Sequence, residues 1–200
     1  MRLPSFGVVD YGVGNYSSLR QSIKNIGFLA TVSSELEVLN SMDILLLPGV
    51  GTFPAAMSFI KQRDLNDFLR EQQAHKPIIG ICLGMELLFQ NSTEKQGAEG
   101  LGLIPGQVIP LNNKRYHIGW NSLKPIKRDP ITNSITGKEF YFNHSYIVDT
   151  DDKYKLATIE GPQEFPTIVR SGNLIGLQFH PEKSQEAGKR FLEHLVHQLF

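Results

Sequence analysis

The chain has 200 residues, and its 20 Lys plus Arg balance 20 Asp plus Glu, so it carries no formal net charge at pH 7. Apolar residues make up 40% and charged residues 20%, the balance of a globular domain with a sizeable core rather than a disordered chain. The lack of a basic excess argues against a nucleic-acid or anionic-membrane surface, and no apolar run reaches transmembrane length. The apolar stretch at the start is too short for a signal peptide, and a single cysteine closes no internal disulfide, so a reducing, cytoplasmic setting is expected.

Phe6–Val9 reads as a short buried strand and 10–15 as a turn-rich loop. Tyr16, Leu19, Ile23 and Ile26 recur at helical spacing up to a stop at Gly27, and 28–32 follows as a second strand. Ser34 is placed to cap a short helix through Leu39, and a third strand over 43–47 ends at Pro48-Gly49-Val50-Gly51. Pro54 opens the next helix, Leu65, Phe68 and Leu69 mark another helical face, and the apolar tetrad Ile78–Ile81 runs into Cys82. Strands alternating with helices predict a parallel sheet covered on both faces. Between 101 and 180 the composition shifts to short β-like runs at 107–109, 140–148, Lys155–Ile159, 167–170 and 174–179, separated by Pro, Gly and Asn. These predict an antiparallel extension of the same domain. A helix over 184–199 closes the chain with Phe191, Leu192, Leu195 and Leu199 inward, and residues 1–200 read as one domain without repeats or linkers.

Cys82 sits in Gly80-Ile81-Cys82-Leu83-Gly84, between a strand-like and a helix-like segment. Small flanking residues permit a sharp turn that holds the sulfur at the strand's end, the thiol form of a nucleophile elbow. A helix starting at Leu83 aims free N–H groups at that sulfur, which is expected to lower its pKa. A thiol nucleophile needs a base, and His180 is the candidate because it ends the apolar run 174–179 and opens His180-Pro181-Glu182. Pro181 disfavours helix at His180, and in an extended chain Glu182 faces the same way as His180, placed to fix the ring's tautomer and stabilise its cation. The loop after the third strand, with a backbone N–H of Gly49 or Val50 joined by that of Leu83, is the candidate oxyanion hole.

Tyr11-Gly12-Val13-Gly14-Asn15 invites a dinucleotide-binding reading but lacks the third glycine, since Ser17 stands there, and no acidic residue ends the next strand. His194 and His197 have ligand-like helical spacing without an obvious third ligand, so no metal site is expected; Lys124, Lys127 and Arg128 read as a solvated group.

Taken together, these residues resemble a class I (triad-type) glutamine amidotransferase over the full chain. The resemblance rests on Gly-Ile-Cys-Leu-Gly-Met and on Gln178-Phe179-His180-Pro181-Glu182-Lys183-Ser184. The segments 10–15, 48–53, His117-Ile118-Gly119-Trp120-Asn121 and His144-Ser145-Tyr146 make the set similar to glutaminase subunits of imidazole glycerol phosphate synthases. The resemblance implies a flavodoxin-like doubly wound, mostly parallel sheet with an antiparallel β extension. It implies a catalytic triad of Cys82, His180 and Glu182 that hydrolyses L-glutamine through a thioester, without a cofactor. Ammonia would pass to a synthase subunit, typically a (β/α)8-barrel cyclase in a heterodimer. Tyr11, Asn15, Trp120, Asn121 and Lys183 become interface candidates, and Ser145 and Tyr146 candidates for the amino-acid end of glutamine.

The chain departs from that pattern in having Glu86 four residues past the nucleophile, where the family usually has glutamine. An ionised carboxylate there accepts but does not donate, and it opposes a thiolate, so Glu86 is expected to weaken resting activity or to pair with the substrate ammonium. Ile118 and Asn143 replace the usual methionine and valine. The alternatives are a paralogue supplying ammonia for surface-polysaccharide sugars, a γ-glutamyl cysteine hydrolase without a partner, and a catalytically silent regulatory subunit.

Overall fold

Ile-Leu-Leu-Leu over 44–47 and Ile-Ile-Gly-Ile over 78–81 are buried at every position, which requires strands covered on both faces. The computed structural model describes residues 3–12, 14–111, 116–161 and 164–200. In chain order the first half contains β1 (Phe6–Val9), α1 (Tyr16–Asn25), β2 (Ala30–Ser33), α2 (Leu36–Asn40), β3 (Ile44–Leu47), α3 (Phe53–Gln62), α4 (Leu65–Gln72), β4 (Ile78–Ile81) and α5 (Leu83–Leu87). The second half contains β5 (Asn91–Ser92), β6 (Ala98–Glu99), β7 (Gln107–Pro110), β8 (His117–Pro125), β9 (Glu139–His144), β10 (Tyr146–Asp149), β11 (Lys155–Ile159), β12 (Pro166–Ser171), β13 (Leu174–Leu177) and α6 (Gln185–Leu199). A 3-10 turn at Pro181–Lys183 links β13 to α6.

The main sheet runs β2-β1-β3-β4-β13-β12-β11-β8-β9. Its first five strands are parallel, in the flavodoxin-like order, and from β13 onward neighbours are antiparallel. The expected antiparallel extension therefore continues the main sheet, while β10-β7-β5-β6 form a second, smaller one. Alternate side chains feed two cores. Phe6, Val8, Ile44 and Leu46 meet Leu19 and Ile23 of α1 and Phe191 and Leu195 of α6 on one face. Val9, Leu45 and Leu47 meet Ala56 and Ile60 of α3 and Leu69 of α4 on the other.

The structure corrects several boundaries. Glu35, not Ser34, is the N-cap of α2, and the hydroxyl of Ser33 accepts the Glu35 N–H at 3.0 Å. Residues 140–148 form two strands in different sheets, broken at Ser145. Strand β8 escapes a hydropathy reading because its inward positions are His117, Gly119 and Asn121 while Ile118 and Trp120 face out, the reverse of the usual alternation. In α6 Val196 is buried and Leu199 only half-buried.

Gly188 lies where α6 crosses the 181–183 turn, and a Cβ there would overlap the Pro181 carbonyl oxygen. Gly188→Ala gains about 1 kcal/mol of helix propensity. Overpacking against fixed backbone, about 3 kcal/mol at the upper end of its usual range, outweighs that gain, so we expect net destabilisation of about 2 kcal/mol in urea unfolding. A stabilised variant would contradict this close approach.

Candidate active site

Strands β3, β4 and β13 are adjacent and parallel, so the chain leaves all three at one edge of the sheet, where ligands collect in open α/β folds. Gly49 follows β3, Cys82 follows β4 and His180 comes shortly after β13. The Cys82 N–H donates to the Leu177 carbonyl at 2.6 Å, tying the nucleophile to the neighbouring strand. Its backbone sits at φ 51° and ψ −108°, a conformation L residues avoid and one that persists only where the surroundings enforce it. Those surroundings are glycines. A Cβ on Gly80 would overlap the Gly84 carbonyl, one on Gly84 the Leu47 carbonyl, and one on Gly49 the Ile81 carbonyl oxygen.

His180 and Glu182 are brought together by a different local geometry from the extended pairing expected. His180 is extended, but Pro181–Lys183 is a 3-10 turn that curls the carboxylate back to the ring. The His180 Nδ1 and the Glu182 Oε1 lie 2.7 Å apart, with side chains 1% and 5% exposed. Because a carboxylate accepts, Nδ1 carries a proton, which makes Nε2 the lone-pair nitrogen of the neutral ring. The backbone around the ring is pinned. The His180 N–H donates to the Tyr141 carbonyl at 2.8 Å. The Ser184 hydroxyl donates to the His180 carbonyl at 2.6 Å and accepts the Tyr141 N–H at 2.9 Å. The second carboxylate oxygen of Glu182 is buried without a hydrogen-bond partner among the described residues.

Cys82 and His180 line one cavity of about 240 Å³, with Gly49, Val50 and Leu83 in its wall. Glu86, Ser145 and Tyr146 also line it, so the sequence-predicted catalytic, oxyanion and substrate candidates converge apart from Glu182, which reaches the cavity through His180. The sulfur donates to the Asn143 carbonyl at 3.7 Å. Burial pushes the Cys82 thiol well up, the charge of Glu86 adds to this, and the Leu83 N–H pulls the other way. The expectation of a depressed thiol therefore fails in this conformation: α5 spans only Leu83–Leu87, and desolvation exceeds what its N-terminus supplies. Glu86 also departs from expectation. Burial raises its carboxyl to about 8, partly offset by the Gln178 amide and reinforced by Glu94, so at pH 7 it is a neutral acid that both donates and accepts.

Sequence reasoning missed Glu94, which lines the cavity from the turn between β5 and β6, with Oε2 accepting the Phe53 N–H at 2.7 Å. That turn has no periodicity to mark it. The interface candidates divide. Asn15 is exposed and caps α1 by accepting the Ser18 N–H at 3.3 Å. Trp120 is exposed on β8 and meets Tyr141 edge-on at 5.8 Å, and the Lys183 ammonium lies 5.9 Å from the same ring. Tyr11 is fully buried in the core, its hydroxyl without a hydrogen-bond partner among the described residues, so its ring belongs to no exposed face. Asn121 is half-buried and turned inward to His117, 2.7 Å away. Val13 lies outside the described residues. His194 donates to the Pro130 carbonyl at 2.7 Å, and among the described residues no group of His, Cys, Asp and Glu is arranged to hold a metal ion.

Comparison with known proteins agrees with this geometry. The family model for "Glutamine amidotransferase class-I" matches residues 7–199. A Vibrio vulnificus (strain YJ016) protein named imidazole glycerol phosphate synthase subunit HisH 2 is 46% identical over 189 residues, covering 90% of this chain and 88% of its own. Its counterpart named subunit HisH in Bacillus cereus (strain G9842) is 41% identical over 190 residues, covering 93% and 91%. Among solved structures, PurLQS from Thermotoga maritima superposes with a TM-score of 0.80 at 19% identity over 100% of both chains, a likeness of fold. With the family model spanning nearly its whole length, the chain belongs to the class I glutamine amidotransferases.

Proposed function

We propose that this chain is the glutaminase subunit of an imidazole glycerol phosphate synthase, hydrolysing L-glutamine and passing ammonia to a synthase subunit for histidine biosynthesis. The observation that carries the chemistry is the buried His180–Glu182 pair opening onto the same cavity as the strained Cys82. The pathway reading rests on relatives about 40% identical or more over most of the chain that bear the subunit name. The acceptor is a (β/α)8-barrel cyclase in a cytoplasmic heterodimer, docking on a face that includes Asn15, Trp120 and Lys183. No helix among the described residues is long and apolar enough to cross a membrane.

The mechanism follows from the protonation states. Because burial keeps Cys82 a thiol, attack requires proton transfer to the free Nε2 of His180 as the carbon–sulfur bond forms. Glu182 holds the ring in the tautomer that makes this possible and stabilises the imidazolium. The tetrahedral oxyanion is met by the Leu83 N–H and a backbone N–H of Gly49 or Val50. The imidazolium returns its proton to the departing ammonia, leaving a glutamyl thioester that water, deprotonated by the same ring, hydrolyses to glutamate. Ser145 and Tyr146 hold the amino-acid end of the substrate, and Glu86 as a neutral acid takes the place of the usual amide.

Glutamate release from glutamine in the presence of the synthase subunit should fall by roughly 10³-fold or more in Cys82→Ala, and by about 10²–10⁴-fold in Glu182→Gln. Glutamine turnover undiminished in Cys82→Ala would overturn the proposal.

Glu86 gives a signed pH prediction. Its folded-state pKa of about 8 lies above the ordinary 4.5, so its destabilising effect grows as pH rises through that interval and levels off above it. Glu86→Gln should be progressively more stable than wild type from about pH 5 to about pH 8, by on the order of 4 kcal/mol at the upper end. Urea unfolding at several pH values tests this, and a pH-independent difference would refute it. The fall in kcat/KM above about pH 8 expected of wild type as Glu86 ionises should move to higher pH in the same variant.

A further inference from the structure

The chain passes from the main sheet to the small one between β9 and β10, beside the nucleophile. The Asn143 carbonyl accepts the Cys82 thiol at 3.7 Å, and the Ser145 carbonyl accepts the Leu111 N–H at 2.9 Å. Ser145 and Tyr146 line the cavity. One buried ring holds this corner from within: His144 Nδ1 lies 2.8 Å from the Tyr146 carbonyl oxygen, so it carries the proton and donates. Burial lowers His144 to about 4, so the ring is neutral and presents a lone pair at Nε2.

That lone pair faces Nδ1 of His117 at 3.0 Å, and His117 Nε2 lies 2.7 Å from Asn121 Oδ1. Two settings satisfy this chain. With the Asn121 oxygen facing the ring, both His117 nitrogens are protonated; with the amide reversed, His117 is neutral. In both, the Nδ1–H of His117 is aimed at His144. Phe142 and Phe165 pack against the His117 ring, with centroids 5.0 and 5.6 Å away, and fix its plane. The hydrogen bonds thus run in one direction, from β8 through two imidazoles to the peptide group beside the substrate candidates.

We propose that His117 and Asn121 are positioning residues of the glutaminase site, acting through His144 to fix the 143–146 corner against which the amino-acid end of the substrate seats. The proposal rests on the glutaminase reading. It also gives β8 two functions on opposite faces: Ile118 and Trp120 are exposed outward, while His117 and Asn121 hold the cavity wall.

The test compares His117→Leu with His117→Asn in the full chain with its synthase subunit. Leucine removes the donor to His144, whereas the asparagine amide nitrogen falls near the position of Nδ1. In His117→Leu the KM for glutamine should rise about tenfold with a smaller change in kcat, and His117→Asn should recover to within about threefold. Asn121→Ala should shift KM in the same direction by about two- to threefold. Two readouts do not depend on turnover. Ring ¹⁵N spectra should show His144 Nε2 as a hydrogen-bonded acceptor nitrogen in wild type and His117→Asn and shifted to the unbonded position in His117→Leu, with the Nδ1–H tautomer kept in all three. Iodoacetamide should alkylate Cys82, the chain's sole cysteine, about tenfold faster in His117→Leu as the Asn143 contact loosens. Equal KM values in the leucine and asparagine variants, or an unchanged Nε2 shift and alkylation rate in His117→Leu, would overturn the proposal. A wild-type chain that hydrolyses no glutamine would sink the glutaminase reading instead, and the Nε2 shift and alkylation results would still decide whether His117 holds the corner.

Discussion

No side chain fits between the ends of β3 and β4, and the rest of the site depends on that closeness. Gly49, Gly80 and Gly84 each face a backbone carbonyl where a Cβ would have to go, so three segments meet main chain to main chain. This contact presses Cys82 into its rare conformation and puts N–H groups, rather than side chains, around the sulfur. Adjacent β13 supplies the imidazole from the same edge of the sheet. The strain at Cys82 is sustained by strands that are buried at every position.

Burial governs the site's charge state. Cys82, Glu86 and His144 all line the cavity, and desolvation favours the uncharged form of each. At these three positions the resting site therefore holds a thiol, a carboxylic acid and a neutral imidazole. In such a setting the buried pair of His180 and Glu182 is well suited to catalysis, because the imidazolium forms beside a carboxylate shielded from water. Glu86 illustrates how environment overrides residue identity: a carboxylate on paper behaves as an amide-like donor and acceptor in place.

The parallel half of the fold was legible because its central strands β3 and β4 are apolar tetrads followed by turn residues, and the elbow was legible because glycine spacing encodes backbone geometry directly. The pairing of His180 with Glu182 was legible through Pro181, which keeps His180 extended, although Glu182 reaches the ring through a 3-10 turn rather than along a strand. What stayed hidden was set by tertiary context. Strand β8 carries polar residues inward because they form hydrogen bonds there, so hydropathy reads it backwards. The break at Ser145 depends on two sheets competing for one segment, and the fate of Tyr11 on core space that no local pattern records. The thiol's ionisation was misjudged because sequence shows the helix that follows but not the depth at which it starts.

The Glu182 oxygen that has no hydrogen-bond partner among the described residues illustrates a compromise between durability and turnover. A folded protein gains nothing from a lone pair sealed away from water with no donor to meet it; such an atom is a standing debit against the native state. Its negative potential finds a use during the brief interval when the neighbouring ring is positively charged. Selection for a sturdier scaffold alone would replace that carboxylate with a fully bonded or apolar group, so on the proposed glutaminase reading it marks a position tuned for rate at the expense of robustness.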